Sequence, residues 1–194
     1  MKIFKRQSTY ADRSVRHKPN RSEIDAFNEK VIQDTLQRYF SHYSGNIRID
    51  EYVDRNLVDN KFNKVDWCIR YTDQTNDGIF GYAESKTRQN YYFPLWMSMS
   101  KATALFDQRA KHANDNLRLL FVWGIVGQNN DDSIYYLNLH SPKLVNNRYD
   151  LSKCNLVWAG TSKKVKSNAD QEWCFEIPQK DLVKIDEAFY VEIA

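Results

Sequence analysis

Three residues bring together side chains and spacings that suit phosphodiester hydrolysis. Asp66 lies inside the apolar run Val65–Tyr71, and Glu84 and Lys86 stand two apart at the end of the run Ile79–Lys86. Breaking a phosphodiester adds water to an anion and expels an alkoxide. A divalent cation neutralises the phosphate and acidifies a bound water. Magnesium takes hard oxygen ligands and keeps several waters, so two carboxylates and one backbone carbonyl suffice to hold it. Asp66, Glu84 and the Ser85 carbonyl are the candidate ligands. Lys86 is placed to orient the attacking water or to offset developing negative charge, and Arg88 to hold a flanking phosphate.

Two strands must position this set. Residues 65–71 alternate, with Val65, Trp67, Ile69 and Tyr71 on one face and Asp66, Cys68 and Arg70 on the other. A polar connection ending in Asp77-Gly78 reads as a turn. Residues 79–86 return as a strand on which Glu84 and Lys86 share a face, because strand side chains repeat every two residues. An antiparallel pairing symmetric about Thr75 would set Asp66 opposite Glu84. Ile79, Phe80, Tyr82 and Ala83 make this strand apolar on both faces, so charges at its end are unusual for a solvated surface. A second acid-x-Lys triplet, Asp59-Asn60-Lys61, falls in loop-like sequence without an acid-bearing strand before it.

The flanking elements follow from periodicity. Residues 22–40 predict a helix, with Ser22 as cap and Glu23 and Asp25 at the positive end of its dipole. Its apolar stripes are Ile24, Phe27, Val31 and Ile32, Leu36, Phe40. Glu29 continues the second stripe backwards and aligns a carboxylate with the core face. A short strand is expected near Ile47 and Ile49. A second helix is expected over 94–113, with Met99, Ala102, Phe106 and Ala110 or Ala113 inward and Lys101 one turn in, within reach of a phosphate. Leu117–Val126 reads as a strand buried on both faces. Strands at 133–139, 155–159 and 171–177, a short helix over 178–186 and a last strand at 189–193 complete the chain.

This constellation resembles the PD-(D/E)XK nuclease superfamily. An acid on one strand (Asp66) is followed by acid-x-Lys on the next (Glu84-Ser85-Lys86). A carboxylate-bearing helix (Glu29) precedes them, and a helix and buried strand follow. Val65 stands where a proline often precedes the first acid of that family. The resemblance covers roughly residues 22–126. It implies an α/β fold: a single domain with a mixed central β-sheet flanked by helices, restriction-endonuclease-like, with additional C-terminal strands. It also implies a DNA-cutting hydrolase using Mg2+ or Mn2+, with Asp66, Glu84 and Ser85 as metal ligands, Glu29 completing the metal set or holding a water beside it, and Lys86 positioning the attacking water. Recombination, repair, restriction and phage DNA processing are all compatible roles. The expected organisation is a basic arm over 1–21 and one domain over 22–194, with its core at 22–126 and an extension at 127–194.

Charge distribution points the same way. Residues 1–21 carry seven Lys and Arg, including Arg13, Arg16 and Lys18, against Asp12 alone, although the whole chain is only +3. A basic arm on a slightly acidic body suits a nucleic-acid partner through salt-dependent, sequence-independent contacts. Lys163, Lys164 and Lys166 form a second basic stretch. At 194 residues and 42% hydrophobic content the chain suits one domain with a real core. Three widely spaced cysteines and no charged-then-apolar leader suggest a reduced, cytoplasmic setting, phage-encoded or cellular. The four histidines lack zinc spacing, and the longest apolar run is too short to span a bilayer. A symmetric homodimer would suit duplex cutting. Tyr91-Tyr92-Phe93, just after the site, suit either stacking on bases or packing over the start of the second helix. Two other classes fit the sequence: a nucleic-acid-binding module on the same fold without cleavage, and a protein-interaction domain using the aromatic-rich surface.

Overall fold

A computed structural model describes residues 21–44, 47–51, 65–71, 78–88, 93–112, 116–125, 133–160 and 171–185. The basic arm with Arg13, Arg16 and Lys18, the triplet at 59–61, Tyr91 and Tyr92, the lysine-rich stretch 161–170 and the expected last strand at 189–193 lie outside these residues.

The first helix, α1 (Arg21–Ser44), leads into strands β1 (Ile47–Glu51), β2 (Trp67–Tyr71) and β3 (Ile79–Arg88). Strand β4 (Leu95–Ser98) and helix α2 (Met99–Ala110) then cross over to β5 (Arg118–Ile125). Strands β6 (Ser133–His140), β7 (Leu156–Gly160), β8 (Gln171–Ile177) and β9 (Val183–Ile185) follow. Among the described residues, six strands form a central sheet in the order β1-β2-β3-β5-β6-β9, and three form a small sheet in the order β4-β8-β7. β3 and β5 run parallel; the other pairs in both sheets are antiparallel. A parallel pair needs a long crossover, and β4 with α2 supplies it. The chain is thus a mixed α/β fold around a predominantly antiparallel sheet with a helix on each face.

Strand alternation divides the core in two. Trp67, Ile69, Leu120, Val122, Ile134 and Tyr136 pack with Ile32, Leu36 and Phe40 of α1. Cys68, Tyr82, Phe121, Trp123 and Leu137 pack with Ala102 and Leu105 of α2 and with Leu95 and Met97 of the small sheet. β5, expected to be buried on both faces, is buried at every position from Leu119 to Ile125. α1 also closes the open edge of β1. Gln37 Oε1 accepts the Ile49 N–H (2.7 Å), Gln33 Nε2 donates to the Ile49 carbonyl (2.6 Å), and Gln37 Nε2 donates to the Ile47 carbonyl. Exposed edges template unwanted pairing, and these glutamines occupy the free backbone groups.

Several sequence expectations shift. The helix expected over 94–113 begins only at Met99, and residues 95–98 are strand β4. Buried Leu95 and Met97 flank the exposed Trp96, and the partner of β4 is β8, about eighty residues downstream in sequence. Local periodicity carries no trace of that partner. The inward face of α2 is Ala102, Ala104, Leu105 and Gln108; Met99 and Phe106 are half-buried and Ala110 is exposed. The helix lies between two sheets, so its buried stripe is wider and rotated from the one expected. The short helix at 178–186 reduces to one turn, Gln179–Asp181, before β9 pairs with β6. Among the described residues no helix is long and apolar enough to cross a membrane.

Candidate active site

The hairpin of β2 and β3 sets the two acids side by side. Trp67 pairs with Ala83, Cys68 with Tyr82 and Ile69 with Gly81. One further step along this register puts Asp66, immediately before β2, opposite Glu84, the pairing expected from symmetry about Thr75. The ladder then shifts at Ile69/Arg70, where Arg70 faces Ile79. The extra residue of this bulge is Phe80, and it explains why Phe80 and Ala83, three apart, pack on the same α1 side.

Asp66 is fixed by its neighbour on β3. Its Oδ2 accepts from the Ser85 backbone N–H at 2.7 Å and from Ser85 Oγ at 2.9 Å. The N–H and C=O of one strand residue point to the same side, so the Ser85 carbonyl also looks towards Asp66, beyond the end of β2.

Glu84 is the buried member, only 4% exposed in a central strand between β2 and β5. Lys101 Nζ lies 2.7 Å from its Oε1. Its other oxygen, Oε2, is buried and has no hydrogen-bond partner among the described residues. Burial and the adjacent Asp66 charge push its carboxyl up to about 8, against the opposing pull of Lys101 and Lys86. Lys101 reaches this position because Ser98 caps α2, accepting the Lys101 backbone N–H on its side chain. Expected to reach a phosphate, Lys101 instead projects into the site as the counter-ion of Glu84.

Lys86 follows on the same face of β3 and is half-buried. Burial, then the Arg88 charge, lowers its ammonium from the usual lysine range, while Glu84 and Glu172 act in the opposite direction. None of the described residues forms an ion pair with it. Arg88 ends the strand half-buried, its guanidinium lowered by burial and sensing Cys174 of β8.

Glu172, on β8, is the residue the sequence reading missed. Its Oε2 accepts from Ser98 Oγ (2.5 Å) and Ser100 Oγ (2.6 Å) at the start of α2, and its charge acts on Lys86. Only the pairing of β8 with β4 brings it here, so no local signal announces it. Glu29, expected to complete the metal set, is exposed on α1, and the buried position beside it belongs to Asn28. The buried stripe therefore runs back from Ile32 to Asn28 rather than to Glu29. Among the described residues no group of three or more His, Cys, Asp and Glu side chains is gathered to hold a metal ion, so Glu29 does not close a three-carboxylate set with Asp66 and Glu84.

No protein-family model, curated protein or solved structure matches the chain.

The site's chemistry therefore rests on its own donors. A buried carboxylate oxygen without a partner is costly unless something satisfies it. Glu84 Oε2, the Asp66 carboxylate and the Ser85 carbonyl are all hard oxygen donors, and a small divalent cation that keeps several waters is the group such a set fits. Glu84 and Asp66 would hold it, with Lys86 beside them.

Proposed function

We propose that this chain is a metal-dependent nuclease that hydrolyses DNA phosphodiester bonds with Mg2+ or Mn2+, on a restriction-endonuclease-like arrangement of its central sheet. The observation that carries the reading is the convergence of Asp66 and Glu84 on neighbouring strands, with Glu84 Oε2 buried and unpartnered among the described residues. When bound, the cation supplies positive charge against the phosphate and acidifies water. Asp66, held by two hydrogen bonds from Ser85, orients one ligand oxygen without needing to reorganise. Glu84 supplies the buried ligand, and its ionised form is the one that binds. Lys86, half-buried and without an ion-pair partner among the described residues, keeps its ammonium free to hold a water or a phosphate oxygen. Arg88 extends the positive line along β3. DNA is the partner, with the basic arm adding salt-sensitive affinity, in a cytoplasmic setting; a homodimer would deliver two cuts to a duplex.

One observation favours a second reading, a nucleic-acid-binding module that does not cut: Lys101 already neutralises Glu84 at 2.7 Å. The test is incubation with plasmid, single-stranded and branched DNA in Mg2+, Mn2+ or EDTA. Cutting that needs metal and disappears in Lys86→Ala supports the nuclease. Salt-sensitive binding without cutting supports the module, and neither activity on any substrate overturns both.

A further inference from the structure

The central sheet carries a pair of arginines on the face that holds the two acids. Arg48 of β1 and Arg70 of β2 are directly opposite in the antiparallel register. Residues directly opposite on paired strands project from the same face, and like charges so placed destabilise the pair. Asp50, next along that face of β1, answers them with one carboxylate: its Oδ2 lies 2.8 Å from Arg48 Nε and 3.9 Å from Arg70 Nε. Burial raises the thiol of Cys68, and the charges of Arg70, Asp50 and Arg48 all act on it. Cys68 belongs to the core on the α2 side, so the three charges lie over that side, the side of Tyr82 and Glu84. α2 packs on β3, β5 and the small sheet. The same face of β1 and β2 stays open to water, with the side chains 51% exposed at Arg48 and 33% at Arg70.

Register places these arginines in line with the site. Arg70 follows Asp66 by four residues along β2, and Arg88 follows Glu84 by four along β3. The two strands run antiparallel, so Arg70 and Arg88 lie on opposite sides of the acid pair, each about 13 Å from it along the strands. A cation to either side of two acids, at this spacing, is not the layout of a strand-face ion-pair ladder, which sets opposite charges next to each other. It suits a polyanion that runs the length of the hairpin and leaves one of its charges beside the acids. A nucleic-acid backbone carries one such charge at every nucleotide, and the planar guanidinium is the group that matches phosphate geometry. Two guanidiniums against one carboxylate supply more positive charge than Asp50 returns.

We propose that Arg48 and Arg70 form a phosphate clamp that holds the DNA backbone on the side of the acid pair away from Arg88. The clamp rests on the nuclease reading for its partner, and its test reads binding apart from cutting. Anisotropy titrations of the full chain with a labelled duplex of about 20 base pairs, in EDTA and at a series of salt concentrations, give the slope of log affinity against log salt. Arg48→Gln and Arg70→Gln each weaken binding and make that slope shallower by about 1, the change expected for one lost phosphate contact. Lys30→Gln removes the same charge from α1, on the opposite face of the sheet, and keeps the parent's slope. Arginine variants that melt like the parent and keep its slope overturn the clamp. So does an equal loss in Lys30→Gln, or a parent that binds no duplex, which leaves the arginines as a surface ion cluster with Asp50. Plasmid cleavage in Mg2+ is scored separately. A parent that binds, loses slope in both arginine variants and never cuts upholds the clamp and overturns the nuclease. A parent that cuts while the arginine variants keep its slope overturns the clamp alone.

Discussion

Glu84 keeps one carboxylate oxygen 2.7 Å from Lys101 Nζ and the other buried without a partner among the described residues. The pair is asymmetric: Lys101 retains solvent contact, whereas Glu84 has almost none. Removing the lysine therefore costs more than removing the acid. Above pH 8, where Glu84 is ionised, Lys101→Met should lower stability by about 2 kcal/mol, less than the full cost of orphaning a buried charge because Glu84 can take up a proton. Glu84→Gln should cost about 1 kcal/mol. Urea midpoints of the single and double variants check both values, and a coupling near zero would show that the contact carries no net energy.

The raised carboxyl of Glu84 predicts a pH dependence of stability without added metal. An unfolded glutamate ionises near 4.5, whereas Glu84 holds its proton to about 8. Between those values the folded state binds the extra proton, so raising the pH across this window destabilises the fold and the loss levels off above it. Below the window both states are protonated and the penalty vanishes. Urea midpoints in EDTA should fall from pH 5 to pH 8 for the parent relative to Glu84→Gln, which lacks the titrating group. Parallel profiles for the two proteins would show that Glu84 is ionised throughout.

Asp66 and Ser85 separate positioning from ligation. Ser85→Ala removes one of the two bonds to Asp66 Oδ2 and keeps the backbone one. It should cost about 1 kcal/mol and slow metal-dependent cleavage without abolishing it. Asp66→Asn keeps the shape but loses the charge, and should abolish cleavage while the chain still folds. The checks are plasmid nicking and thermal melts. Equal activities in the two variants would remove Asp66 from the ligand set.

The hairpin that carries this site was legible because everything that fixes it is local. Alternating apolar residues and a polar turn announced the hairpin, while its register, left open by a connection longer than a two-residue turn, is the one symmetric about Thr75 that continues to Asp66 opposite Glu84. The continuous apolar run of β5 likewise announced a strand covered on both faces. What the sequence hid depends on distant pairing. Leu95-Trp96-Met97 reads as the first turn of a helix until β8 is beside it, and Glu172 has no meaning until that pairing brings it to Ser98 and Ser100. Glu29 misled for a geometric reason: a helical stripe about four residues in period can be continued backwards through either of two adjacent positions, and packing against the sheet chose Asn28.

Gly81 tests how tightly the crossover holds β3. It is the first residue of the parallel ladder and pairs with Arg118. A Cβ there would lie 2.4 Å from the Arg118 main-chain oxygen, and backbone cannot swing aside as a side chain can. Gly81→Ala should therefore push β3 and β5 apart three residues from Glu84, at a cost of about 3 kcal/mol, and should lose cleavage along with stability. A variant with the parent's melting temperature would show that the ladder opens there without penalty.

Lys86 offers the sharpest separation of activity from stability. A half-buried ammonium whose pKa is lowered by burial, with no ion-pair partner among the described residues, costs the fold more than it returns. Lys86→Met fills the same space with an uncharged chain of similar length. It should leave stability unchanged or raise it by about 1 kcal/mol. The same change removes the cation beside the two acids, and metal-dependent cleavage should fall by about 100-fold or more. A residue that is costly to keep and needed for turnover is the pattern expected of a site selected for function rather than for folding. Lys86→Arg tests whether position matters beyond charge: a planar guanidinium cannot reproduce the point contact of an ammonium, so it should not restore the rate. Thermal melts and plasmid cleavage on the same preparations decide between the outcomes. A Lys86→Met variant that is destabilised yet fully active would make the lysine a structural residue and remove it from the chemistry.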